Sequence, residues 1–310
     1  MESKPKYNPA QQEIIELLGA DRDKRPQFEP VLRHELRLAL EDGLAEQAER
    51  LPGDQLWVSK HLLGQVMGCE RKYMAEKDAP FEWSVPIARG SVAHKAIELS
   101  IHKKEHLAPL ELVDDAIATL SAGIDGLAEY LQTCGSVALA ELRAEANDSV
   151  VKFMESFPPL SPRWWPTTES RLRLDIHDSF IFSGKVDLTL GRADGHTAGK
   201  VLIDLKTGSR SPLHAEDLRF YALLEAIRVG TPPRLVASYY LDRGVIHAEK
   251  VTESVLEAAV RRVLAGVDRI VSLDEGERVP SVAPGPLCRW CPALEDCDEG
   301  RLHNESREDY

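Results

Sequence analysis

The apolar positions change period part-way along the chain. Residues 11–18 carry Ile14, Ile15, Leu17 and Leu18 at helical spacing behind a cap at Asn8-Pro9. Residues 30–49 repeat the pattern with Leu32, Leu36, Leu38, Leu40 and Leu44, flanked by charge. A short strand or turn at 56–59 precedes one predicted helix through residue 80, which carries Cys69 and Arg71-Lys72-Tyr73. Another helix is predicted over 91–105, opened by Gly90-Ser91. Residues 110–157 read as a long helical region broken near Gly123 and Gly135 and ended by a proline-rich segment.

The spacing then becomes that of strands. Residues 170–176, 180–190 and 201–206 alternate or run apolar, with glycine-rich turns between them. A helix over 214–229 follows, then strands at 235–241 and 245–251 around Asp242-Arg243-Gly244. A final amphipathic helix covers 253–273, and the charged tail 298–310 is expected to be disordered. This order predicts an α/β fold with a central sheet flanked by helices. The expected division is a helical extension at 1–53 and one catalytic domain at 54–297 with a helical insertion at 107–160.

Composition narrows the function classes. The chain has 310 residues, 43% hydrophobic, with a net charge of −13. That balance argues against a protein that coats nucleic acid non-specifically, because phosphate contacts need Lys and Arg. It fits a site that gathers carboxylates around cations. No apolar run approaches about 18 residues, so no membrane contact is expected. The first residues lack a secretory core, so a cytoplasmic location is expected, with cysteines as metal ligands or free thiols rather than disulfides.

Two segments carry candidate chemistry. On a strand, residues two apart share a face, so Asp204 and Lys206 point the same way while Leu205 turns inward. Asp187 lies on the preceding strand, after Gly184. Two carboxylates and an ammonium meeting among Val201, Leu202 and Ile203 need a cation or ligand to offset their burial. Carboxylates suit Mg²⁺ or Mn²⁺. A lysine can orient water and offset charge developing on a phosphate. Alone, an Asp-x-Lys pair reads as a salt bridge at a strand end. His94 stands four residues after Gly90, Glu169 opens the first strand, and Asp217 and Tyr221 share the next helix. Each alone also reads as a solvated, surface or core residue.

In this order the residues resemble the PD-(D/E)XK nuclease superfamily, and within it the RecB-like exonucleases. Gly90 and His94 match its G-x-x-x-H, Gly184 and Asp187 its G-x-x-D, and Asp204-Leu205-Lys206-Thr207-Gly208 its D-x-K-T-G. Tyr221 matches the end of Q-x-x-x-Y, whereas Asp217 stands where the family has glutamine. An ionised acid there cannot donate to phosphate. The resemblance implies a restriction-endonuclease-like core around a mixed sheet. It implies Mg²⁺ or Mn²⁺ on His94, Asp187, Asp204 and the Leu205 carbonyl, with Glu169 assisting and Lys206 placing the attacking water. The expected activity is exonucleolytic hydrolysis of single-stranded DNA ends, 5′ to 3′. Repair, recombination, phage replication and CRISPR adaptation all offer contexts and protein partners.

Cys69 near the front and Cys288, Cys291 and Cys297 at the back form the frame of a cysteine-bearing subset of these exonucleases. It includes CRISPR-associated relatives, the AddB nuclease domain and phage enzymes. The subset implies a 4Fe–4S cluster joining the N- and C-terminal segments. C-x-x-C is shared with zinc sites, so zinc is the rival occupant. Cys134 is expected to be a buried or free thiol. Trp290 is read as packing over the cysteine site, with a DNA groove as the other reading. An inactive DNA-end-binding module and a zinc-stabilised hydrolase are the alternative functions.

Overall fold

The structure, a computed structural model, describes residues 7–308 except 52, 78 and 104–106. The chain begins with α1 (Pro9–Leu18) and α2 (Leu32–Glu49). Asn8 caps α1 through the Gln11 N–H, 2.9 Å, and Gln11 returns a bond to the Asn8 N–H. Strand β1 (Leu56–Val58) leads into α3 (Lys60–Gly68) and α4 (Glu70–Lys77). The single helix expected here is therefore two, broken at Cys69, whose backbone is extended at φ −153° and ψ 111°.

Helix α5 (Val85–His102) starts before Gly90, with proline in its first turn. Helices α6 (Pro109–Ser121), α7 (Gly126–Thr133) and α8 (Gly135–Ser156) follow. Their breaks fall at the two predicted glycines. Gly135 has φ +80°, a conformation that costs side-chain-bearing residues. Strands β2 (Thr167–Ile176), β3 (Phe180–Leu190) and β4 (Val201–Lys206) precede α9 (Leu213–Val229). Then come β5 (Leu235–Tyr240), β6 (Val245–Lys250) and α10 (Glu253–Asp274). The tail, expected to be disordered, instead forms α11 (Asp298–Glu308).

The mixed six-stranded sheet runs β1-β3-β4-β5-β6, with β2 added to β3. Strand β2 pairs antiparallel along β3 from Ile176↔Phe180 to Thr167↔Thr189. On the other edge of β3, β1 pairs with Phe180–Phe182 and β4 only with Leu188–Leu190. The edge between Ser183 and Asp187 thus has neither strand beside it. This opening is where the predicted acids converge.

The alternation of β4 and β5 divides the core. Val201, Ile203, Leu205, Leu235, Ala237 and Tyr239 pack with residues of α1, α5, α6 and α8. Leu202 and Val236 face the opposite way, with residues of α2, α3, α9 and α10. Period-two patterning predicts such a division wherever a sheet is covered on both faces. Both N-terminal helices join these cores, α1 through Ile14 and Leu18, and α2 through Leu32, Leu36, Leu40 and Leu44. Among the described residues, no helix is long and apolar enough to cross a membrane.

Candidate active site

The ladder between β3 and β4 starts at Leu188↔Ile203. One step toward the opening stand Asp187 and Asp204. Asp187 turns its Oδ2 back to accept the Leu205 N–H at 2.7 Å. A carboxylate thus takes the place of the next ladder bond and holds the two strands at a fixed splay. The same interruption appears on the β2 side. Thr168 pairs with Leu188 and Ser170 with Val186, while Glu169 and Asp187 between them are unpaired. Glu169 has φ +54°, a left-handed conformation outside the pleat, and pairs with Lys185.

Helix α5 brings His94 to this opening. Its Nδ1 lies 3.3 Å from Asp187 Oδ1. Burial pushes the imidazole pKa down, but the charges of Asp187, Asp204 and Glu169 outweigh it and the net shift is upward. Two close contacts set the position of α5. A Cβ at Gly90 would come 3.3 Å from Thr207 Oγ1, and Arg89 donates to the Thr207 carbonyl. The predicted G-x-x-x-H spacing is therefore one helical turn. Glycine lets the helix approach the end of β4, and His94 follows on the same face.

Asp204 is almost fully buried, at 1% exposure. Two ammoniums flank it. Lys60 donates to Oδ1 at 2.5 Å. Lys206 Nζ lies 2.7 Å from Oδ2, but off the hydrogen-bonding direction, so that buried oxygen has no hydrogen bond among the described residues. Burial raises the Asp204 pKa, but the two lysines outweigh it and hold the carboxyl down at about 2. Lys206 also reaches Asp217 Oδ2 at 3.3 Å. The acid at the family's glutamine position thus sits within an ion pair. Burial of Lys60 opposes its charge, but Asp204 overrides this and raises its pKa.

Tyr221 closes the site from α9. Its hydroxyl accepts the Lys185 N–H at 3.4 Å, and Lys60 Nζ lies 4.8 Å from its ring centroid. A Cβ at Gly184 would fall 2.2 Å from Tyr221 Cε1, so β3 needs glycine where the ring lies against it. His214 stands nearby, its Nδ1 2.9 Å from the Tyr240 hydroxyl. Burial and then the Lys206 charge lower its pKa, favouring the neutral ring.

Sequence reasoning missed Lys60, Arg89 and His214. Lys60 had one usable signal. It is the first residue after the N-cap Ser59, whose side chain accepts the Leu62 N–H at 3.2 Å. Its distance from Asp204 along the chain hid the contact.

The carboxylates of Asp187 and Asp204 are donors of the kind that suit a hard divalent ion. Among the described residues, no three His, Cys, Asp or Glu side chains stand together as a metal-holding group. At Asp204 the physical reason is visible: Lys60 and Lys206 take up the charge an ion would neutralise.

Cys69, Cys288, Cys291 and Cys297 lie near one another, and Cys134 lies between α7 and α8. All five are free thiols. Cys69, at the break between α3 and α4, lies with its Sγ 4.0 Å from the Ser281 carbonyl. Arg71 donates its N–H to the same carbonyl at 3.2 Å and its guanidinium to the Asp296 carbonyl. Buried Glu70 binds Arg278 and the Ser281 N–H, 2.9 Å. These bonds tie the Cys69 corner to the C-terminal segment. There Cys288 and Cys291 flank a short turn, and a Cβ at Gly300 would lie 3.3 Å from Cys297 Sγ and 3.6 Å from Cys288 Sγ. Burial raises the Cys291 pKa, with Cys69 and Cys288 close enough to add to the shift. Among the described residues these thiols do not close into a metal-holding group. Trp290, expected to pack over this site, is instead 60% exposed with the Arg289 guanidinium 3.6 Å above its ring.

A family model for the PD-(D/E)XK nuclease superfamily matches residues 58–298. The chain belongs to that superfamily and is a nuclease. No curated protein matches it. Among solved structures, one similar chain is a candidate exonuclease from Eubacterium rectale, at 14% identity and a TM-score of 0.46, covering 83% of this chain and 90% of that one. Another, titled SSO0001, has 16% identity and a TM-score of 0.30, covering 69% and 97%.

Proposed function

We propose that this chain is a metal-dependent DNA exonuclease that hydrolyses phosphodiester bonds at single-stranded ends, 5′ to 3′. The observation that carries the reading is Asp204. It is a buried carboxylate held between the Lys60 and Lys206 ammoniums, beside Asp187 and His94 in the gap between β3 and β4. In this reading His94, Asp187, Asp204 and the Leu205 carbonyl would hold Mg²⁺ or Mn²⁺, with Glu169 beside them. The bound ion would supply Lewis acidity to the phosphate.

The protein's own groups do the remaining work. Asp187 fixes the Asp204–Leu205 peptide by accepting its N–H, which holds the backbone just before the Leu205 carbonyl. Lys206, held between Asp204 and Asp217, orients the attacking water and offsets charge on the phosphate. Tyr221 closes the floor over Gly184 and limits where a strand can lie.

Cys69, Cys288, Cys291 and Cys297 would hold a 4Fe–4S cluster as a structural clasp. A cytoplasmic setting, which keeps thiols reduced, belongs to the same proposal. A second reading, a catalytically weak DNA-end-binding module, draws support from Asp217, which competes with Asp204 for Lys206.

The test is degradation of single-stranded DNA labelled at either end, with Mg²⁺ or Mn²⁺. Wild type should shorten the strand from its 5′ end, and Asp204→Asn and Lys206→Met should not. Equal activity in all three would remove the assigned site. Metal-dependent binding without shortening would favour the second reading.

A further inference from the structure

A cavity of about 770 Å³ lies at the other end of the β3–β4 ladder. Val201 of β4 lines it, three residues from Asp204 and so about 10 Å along the strand. Its size falls among small-molecule sites of roughly 300–1,000 Å³. The residues around it have no part in the nuclease reading.

Five arginines line the cavity: Arg22, Arg25, Arg163, Arg192 and Arg234. One carboxylate, Asp194, joins them and is paired with Arg22 at the exposed rim. This concentration of positive charge belongs to a chain whose net charge is −13. Arg25 spends its Nε and Nη2 on the Ala20 carbonyl, both at 3.3 Å. Arg234 donates to the Leu18 carbonyl, while its buried Nε has no hydrogen-bond partner among the described residues. Burial, and then the charge of Arg25, lower the Arg234 pKa to about 10. Two guanidiniums are thus held together without a carboxylate between them, an arrangement that an anion relieves.

The rim adds an aromatic face. Trp165 is half exposed and has φ +46°, a left-handed conformation that is strained for a bulky residue. The Arg192 guanidinium lies 4.3 Å from its ring. A planar forked donor suits phosphate, and an indole suits a base. Arg22 and Arg25 precede the family match at residues 58–298, so the cavity is partly built by a segment outside that match.

We propose that this cavity binds a free nucleotide, its phosphates on Arg25 and Arg234 and its base at Trp165. The volume of this half-open cavity matches a small molecule. Binding here does not depend on the nuclease assignment.

Titration calorimetry on the full chain tests it with dATP, inorganic pyrophosphate, unphosphorylated deoxyadenosine and a single-stranded oligonucleotide. We expect dATP to bind and pyrophosphate to compete with it. Deoxyadenosine should bind at least tenfold more weakly. Arg25→Gln and the exposed-site variant Arg192→Gln, each checked for a native circular dichroism spectrum, should weaken dATP at least tenfold and threefold respectively. Asp204→Asn should bind dATP as wild type does, which separates this site from the nuclease centre. No heat from wild type at millimolar dATP would overturn the proposal, as would unchanged affinity in both folded arginine variants. An oligonucleotide competing as strongly as dATP would overturn the free nucleotide as ligand.

Discussion

The oxygen-rich opening between β3 and β4 and the cysteine-bearing end are built by opposite means. At the opening, charged groups arrive from β3, β4, α3, α5 and α9, and nearly every one has a counter-charge. Regular elements set its geometry before any ligand enters. At the cysteine end, the thiols stand on a helix break and short turns, held in place by Glu70, Arg71 and backbone carbonyls. In the proposed reading, the second region depends on a group that joins its sulfurs.

The largest contrast comes from one variant in each region. Cys291→Ser should remove any brown colour and destabilise the domain, as loss of a structural metal ligand belongs with changes costing more than about 4 kcal/mol. Asp204→Asn should abolish cleavage while leaving colour and circular dichroism intact. A Cys291→Ser protein that unfolds like wild type in urea would erase the contrast, and a colourless wild type with bound zinc would change the occupant.

Next in size is Lys60→Met. It removes the hydrogen bond that orients Asp204 and should slow cleavage about a hundredfold. An unchanged rate would make Lys60 a packing residue only. Smaller is the effect of Gly184→Ala, whose methyl meets the Tyr221 ring at 2.2 Å. It should cost about 1–3 kcal/mol in urea unfolding. Gly90→Ala meets only a hydroxyl, at 3.3 Å, and should cost less. A reversal of that order would show that α5 is packed more tightly than β3.

The smallest effect is one of pH. The folded Asp204 pKa is depressed to about 2, so its contribution is present above the ordinary carboxylate range and is lost as pH falls toward about 2. The stability difference between wild type and Asp204→Asn should therefore be larger at about pH 7 than at about pH 3. A constant difference would separate the lysines from Asp204's ionisation.

Much of this was legible in the chain. The change from helical to strand period falls where α8 gives way to β2, and glycine marks the breaks between the insertion helices. Asp204 and Lys206 share a face as alternation requires, and Leu205 turns into the core. The helix break at Cys69 was not legible, because its flanks read as one helical run. Nor was α11, whose exposed, charged sequence has little apolar face to announce a helix.

By itself the sequence determined most of the elements, their order and the residue types able to hold a divalent ion. Local periodicity and side-chain chemistry are enough for that. Tertiary structure alone decided that β3 and β4 part at Asp187, that Lys60 reaches Asp204, and that Arg25 and Arg234 line one cavity. Those facts join residues far apart in the chain, and no local pattern encodes which buried charges will face one another once the sheet and its helices close.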